Sequence, residues 1–385
     1  MKKFFKKWSA GLFVFAILVG FWFVRQEIRE LKREQRAYKR VYSVIEEKFD
    51  RTLPLFGGMP IPAELRNIPF ADEEGIVLDV KKITVPGVKA PYNPSIIEHN
   101  GTHRLFFRYD VLDKDCTRPY YSYIGCTQLN GNLELLSDEF VKIDTETEFA
   151  EDPRIVSIGD ELFLVFNDWL DESSYTRGMH IANLNPDDLT TNYVTRLDLR
   201  RKPVEKNWMP FAYAKPGKKP NLHFVYDISP VKILNVADPK GHEQPVFYEI
   251  SGSALNAFQW PEQWGFPRGG TPARRIGDEY LAFFHSSFRD RDGINWYIIA
   301  AYTFQGKPPF RATAISQYPI LFKGAYDSPP LNTAHPCCRV LYPSGFSFET
   351  KEGKDLIYLA CGENDSAIKI LTIDKEQLLK HMKKF

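Results

Sequence analysis

Five times between residue 85 and the C-terminus, a proline in a polar or glycine-rich setting precedes, by roughly 8 to 14 residues, a dense run of aromatic and aliphatic residues. The prolines sit in Asn93-Pro94-Ser95, Asp152-Pro153-Arg154, Trp208-Met209-Pro210, Thr271-Pro272-Ala273 and Tyr342-Pro343-Ser344. The runs begin at Leu105, Leu162, Leu222, Tyr280 and Leu356, and neighbouring prolines lie 59, 57, 62 and 71 residues apart. A near-fixed period of this size has room for four short strands per unit, and units that small bury their apolar faces only against each other. The expected fold is all-β, a five-bladed β-propeller over residues 85–385. Two stacked β-sandwiches, whose turns also recur, are the alternative.

Ahead of this domain, Trp8 to Val24 form a charge-free, mostly apolar run after Lys2, Lys3, Lys6 and Lys7. Its length, about 17 residues, is at the short end for a bilayer span. No small-x-small cleavage site precedes Arg25, so residues 1–24 are expected to form an uncleaved tail and transmembrane anchor, making the chain a single-pass membrane protein. Basic residues flank the run on both sides and leave the side of the main domain open. Residues 25–84 are expected to be a helical stem and linker, because Ile28, Leu31, Gln35, Tyr38, Tyr42, Ile45 and Phe49 follow a 3,4 spacing. Such a stem would allow self-association.

Lys plus Arg number 50 and Asp plus Glu 49, so no global field points to a nucleic-acid partner. The five cysteines include no CxxC pair, and GxSxG, Walker and HExxH patterns are absent, so no metal site is expected. The chemistry must come from the proline-marked segments, which a propeller gathers at one end of its axis. Glu151, Asp152 and Arg154 bring two carboxyls and a guanidinium, enough for a general acid beside an anion grip; a turn-capping Asp beside an Arg–Glu pair fits the same string. Lys206, Asn207 and Trp208 suit a phosphate beside a sugar ring, or equally a core indole beside a surface cation. Arg268 precedes a Gly-Gly pair that lets backbone approach a ligand. His285 ends a strand as either a functional or a core imidazole.

Taken in order, Tyr92-Asn93-Pro94, Glu151-Asp152-Pro153-Arg154-Ile155, Lys206-Asn207, Gly269-Gly270-Thr271-Pro272 with Phe284-His285, and Gly362-Glu363-Asn364-Asp365 resemble the β-mannoside phosphorylases and hydrolases of glycoside hydrolase family 130. The resemblance spans about residues 90 to 373. It implies a five-bladed propeller acting on an oligosaccharide or glycoconjugate, with Asp152 as the proton donor working through a sugar hydroxyl. No cofactor is implied; inorganic phosphate or a sugar phosphate would be the co-substrate. Arg154, Lys206, Arg268 and His285 would hold phosphate, and Asn93, Glu151, Asn207, Trp208 and Asp365 would line the sugar site. The last motif reads Cys361-Gly362-Glu363-Asn364-Asp365, where family members more often have smaller residues before the Asp. A membrane-anchored glycosyltransferase building a surface glycan and a non-catalytic carbohydrate-binding propeller are the other functions considered.

Overall fold

The computed structural model describes residues 59–385 except 113–118, 172–175, 198–201, 237–246, 250–259 and 331–337, together with Arg25, Ile28, Lys32 and Leu55–Phe56. The chain divides into two compact units, Met1–Ile61 and Pro62–Phe385. In the first, Leu55–Phe56 pairs antiparallel with Met59–Pro60. The second is an all-β propeller.

Strand Glu161–Asp171 shows why this sequence builds blades. Its centre, Leu162-Phe163-Leu164-Val165-Phe166, is apolar without a break and almost entirely buried. Because successive side chains in a strand point to opposite faces, Leu164 and Phe166 enter the cluster shared with Phe106, Ile124 and Ile155. Phe163 and Val165 enter the cluster shared with Trp208, Leu222 and Phe224. A continuous apolar run is therefore what a strand sandwiched between two neighbouring blades requires, each buried side chain stabilising the packing by roughly 1.5–3 kcal/mol.

Four sheets have four strands each, opening with Pro91–His99, Glu151–Ile158, Met209–Tyr213 and Leu341–Lys351. The fifth repeat is not a matching four-stranded unit but part of a seven-stranded sheet, in which Met382–Lys384 pairs with Ala312–Ser316 and Cys338–Arg339 pairs with Asn295–Gln305. The repeat count of equal blades is corrected accordingly, since the C-terminal strand and the connection to the last blade both add to this sheet. A second correction concerns the stem and linker, 25–84: Val77–Ile83 pairs with Ala367–Asp374 as the outer strand of the last blade. A strand from the start of the domain thus completes the sheet whose other three strands come from near its end.

The single-pass membrane placement is also overturned. Among the described residues no helix is long and apolar enough to cross a membrane. The run 8–24, and nearly all of the stem through which self-association was expected, lie outside the described residues.

Candidate active site

The proline-marked segments meet at one end of the channel, and Arg154 ties them together. Its side chain is fully buried. Nε donates to the Gly270 carbonyl at 2.6 Å, and Nη1 to the Asp152 carbonyl at 3.1 Å. Nη2 donates to Asn207 Oδ1 at 3.4 Å and to the Tyr342 hydroxyl. That hydroxyl in turn donates to Asn207 Oδ1 at 2.6 Å. One guanidinium therefore joins segments in or next to four of the five larger sheets, and Asn93, on the fifth of these, donates from Nδ2 to Asp152 Oδ1 at 2.7 Å. With its donors nearly all committed to protein, Arg154 braces the mouth rather than gripping an anion bidentately, as the sequence had led us to expect.

Asn93 and Asp152 occupy equivalent places in successive blades. Each precedes a proline, each sits at a register shift in its innermost strand, and each has a left-handed φ, 45° and 56°. Asn and Asp tolerate this region best among non-glycine residues, but it still costs about 1–3 kcal/mol and persists where the surroundings enforce it. A bulge of this kind re-aims a side chain, here turning the Asn93 amide and the Asp152 carboxylate toward each other.

Around Asp152 stands a ring of charge. Arg108 pairs with Asp110 at 3.1 Å, Glu151 at 3.0 Å and Asp152 at 3.5 Å, and Arg177 pairs with Glu151 at 2.7 Å. Asp110 also accepts from the Tyr92 hydroxyl at 2.6 Å, which fixes the carboxylate that orients Arg108. Burial would raise the Asp152 pKa, but Arg108, Arg154, the Asn93 amide and Lys206 together hold it below the usual carboxylate range. For neighbouring Glu151, burial prevails over Arg108 and Arg177 and the pKa is raised. Asp365 is reached by solvent yet enclosed by protein, as a group inside a recess is. Its pKa is pushed up to about 6 by desolvation and by Asp152, Asp110 and Glu151, against the pull of Arg108.

On the other side of Asp152 the sign of charge changes. The His285 ring packs against Tyr342 at 4.8 Å and Tyr297 at 5.9 Å. Burial, then Arg268, Arg154 and Lys206, lower its pKa well below the ordinary value, so the imidazole is neutral. His285 Nδ1 and Asn93 Oδ1 are buried polar atoms without a hydrogen-bond partner among the described residues. Lys206 is exposed, makes no hydrogen bond or ion pair among the described residues, and acts electrostatically on both Asp152 and His285. Arg268 is half-buried, bonded to Ser287 Oγ and 5.6 Å from the Tyr297 ring. Next to it Gly269 is obligatory, because a Cβ there would stand 1.9 Å from the Asn207 carbonyl oxygen.

Of the residues singled out in the sequence, Asn93, Glu151, Asp152, Arg154, Lys206, Asn207, Arg268, His285 and Asp365 are thus brought together. Trp208 is not at the surface of the site. It is 1% exposed, donates from Nε1 to Glu205 and packs edge-on to Phe224 and Tyr226, so it is a core indole and offers no ring to a sugar. Glu363 and Asn364 also turn away from the mouth: Glu363 pairs with Lys369 at 2.8 Å, and Asn364 donates to the Tyr326 and Ser328 carbonyls. Arg108, Asp110 and Arg177 were missed. The signal available for the first two is that they follow the apolar run Leu105-Phe106-Phe107 at alternate positions, placing both charges on one face of the strand.

A scan against protein-family models and a search of curated proteins each found no match. Solved structures do match. A β-1,2-mannobiose phosphorylase from Listeria innocua shares 15% identity, with a TM-score of 0.53 over 81% of this chain and 98% of that one. The fold is theirs in common. A mannose phosphorylase from Leishmania mexicana, solved with phosphate, gives 15% identity and a TM-score of 0.52, covering 82% of this chain and 93% of its own. A glycosyl hydrolase from Bacteroides ovatus gives 14% and 0.54, covering 80% and 93%. At such identities the likeness carries the architecture, and the chemistry has to be argued from the residues at the mouth.

Proposed function

We propose that this protein is a carbohydrate-active enzyme that breaks or makes a glycosidic bond by inverting transfer to or from phosphate, with Asp152 as the proton donor. One observation carries the reading: Asp152 stands at the border between a ring of carboxylates and guanidinium groups on one side and Lys206, Arg268 and His285 on the other. The first side suits sugar hydroxyls, with Asp365 as an acceptor. The second suits an anion, with Lys206 and Arg268 as the accessible cations and buried Arg154 and His285 behind them. The mannoside specificity rests on the motifs and on what the matched phosphorylases are named for.

In phosphorolysis a phosphate oxygen attacks the anomeric carbon, the glycosidic C–O bond breaks, and the leaving oxygen takes a proton relayed from Asp152. The proton count closes because Asp152 gives its proton to the leaving oxygen while the attacking hydrogenphosphate releases its own to solvent, leaving a dianionic sugar phosphate and an ionised Asp152. Asp152 is ionised in the free protein, so it must be charged with a proton before it can act. Phosphate on Lys206 and Arg268 would neutralise part of the positive field that keeps Asp152 ionised, raising its proton affinity when the nucleophile arrives.

Titration calorimetry of inorganic phosphate in buffers of different ionisation enthalpy tests this coupling. Phosphate is expected to bind with net proton uptake by the protein, with the uptake lost in Asp152→Asn and the binding weakened in Lys206→Met. Absence of phosphate binding would favour hydrolysis instead, which needs a carboxylate base for water across the anomeric carbon.

A further inference from the structure

Phe266 is 63% exposed, the most exposed large apolar side chain among the described residues. A single surface apolar residue usually needs no explanation. This one is held in place from both sides. Before it, the short 3₁₀ turn Glu262–Trp264 buries Trp264, whose indole donates to the Glu64 carbonyl at 3.0 Å and lies 4.9 Å from the Trp260 ring. Gly265 has φ 77°, and a Cβ there would stand 1.9 Å from the Ser287 carbonyl oxygen, so the backbone is pressed against strand Glu279–Arg289. After it, Arg268 bonds the hydroxyl of the same Ser287. The chain then enters the channel as Arg268–Gly269, paired with His285 and Phe284.

We infer that Phe266 is a stacking platform for a sugar ring beyond the pair that reacts, and that the substrate is an oligosaccharide longer than a disaccharide. The inference rests on the glycoside reading above and extends it outward. Phe266 precedes Arg268 by two residues, so its Cα lies within roughly 7 Å of that of Arg268, and its exposed ring stands beside the cation cluster on the solvent side. With the backbone held on both sides, only the two side-chain torsions of Phe266 are ordered when its ring stacks against the apolar face of a pyranose.

The test compares phosphorolysis of manno-tetraose with that of mannobiose by the full chain and by Phe266→Ala and Phe266→Trp. The wild-type protein is expected to prefer the tetraose. In Phe266→Ala the ratio of kcat/KM for tetraose over biose is expected to fall roughly fivefold to tenfold, with Phe266→Trp restoring it. An unchanged ratio overturns the inference, as does a wild-type protein with no preference for length. A change in sedimentation with an unchanged ratio would show the ring to be a contact between copies. If the wild-type protein turns over neither glycan, the enzymatic reading fails separately. Calorimetric affinities for the two glycans then decide Phe266: equal affinity in wild type and Phe266→Ala, or no binding by wild type, overturns its role.

Discussion

Asp152→Asn is expected to lower turnover by about 10²- to 10⁴-fold, the range a positioned general acid supplies, while the far-ultraviolet circular dichroism spectrum stays that of the wild-type protein. The substitution keeps the shape of the side chain and removes its negative charge together with its capacity to hold and release a proton. Arg108 retains Asp110 and Glu151 as partners, and the Arg154 brace uses the backbone carbonyl of residue 152, not its side chain. Full turnover in this variant would transfer the role to Glu151 or Asp365, the neighbouring carboxyls whose proton affinities are raised. Intact glycan binding by a wild-type protein that has no turnover would identify a binding propeller.

The second large effect concerns Arg108, which faces three carboxylates and has a side chain only 11% exposed. Arg108→Met leaves Asp110, Glu151 and Asp152 clustered with less positive charge, and breaking buried pairs in this way costs about 3–5 kcal/mol. Urea unfolding at neutral pH is expected to show that loss as a lower midpoint. The pH dependence has a definite sign. Asp152 in the folded wild type lies below its unfolded pKa, so its contribution to stability is present above the unfolded value and lost as pH falls through the folded one. In Arg108→Met that depression is relieved, and the deficit relative to wild type should narrow as the medium is acidified. A deficit that is constant from neutral to acid pH would mean that Arg108 acts through packing alone.

Much of the architecture could be read from the repeat, because a strand clamped between two blades must be apolar on both faces and the innermost strands of the four equal sheets each carry a proline. The unequal sheet could not. The pairing of Met382–Lys384 with Ala312–Ser316 and of Val77–Ile83 with Ala367–Asp374 joins segments far apart in sequence, and no local pattern announces such partners. At the site, Asp152 and Asn93 were visible as residues before prolines, but Arg108, Asp110 and Arg177 were not, since they come from second and third strands of the blades. Trp208 shows the opposite error: an indole beside Lys206 and Asn207 reads as a sugar platform, whereas the left-handed Asn207, φ 66°, turns the chain so that Trp208 faces the core. The aromatic ring at the rim is Phe266, in a segment without any motif.

The most direct test of the account is release of sugar 1-phosphate from manno-oligosaccharides by the purified protein, with and without inorganic phosphate. Sugar 1-phosphate formed only when phosphate is present, and lost in Asp152→Asn, is the predicted result. Free sugar released at the same rate without phosphate would contradict it, and would make Lys206 and Arg268 sugar-binding or structural cations, not a seat for the nucleophile.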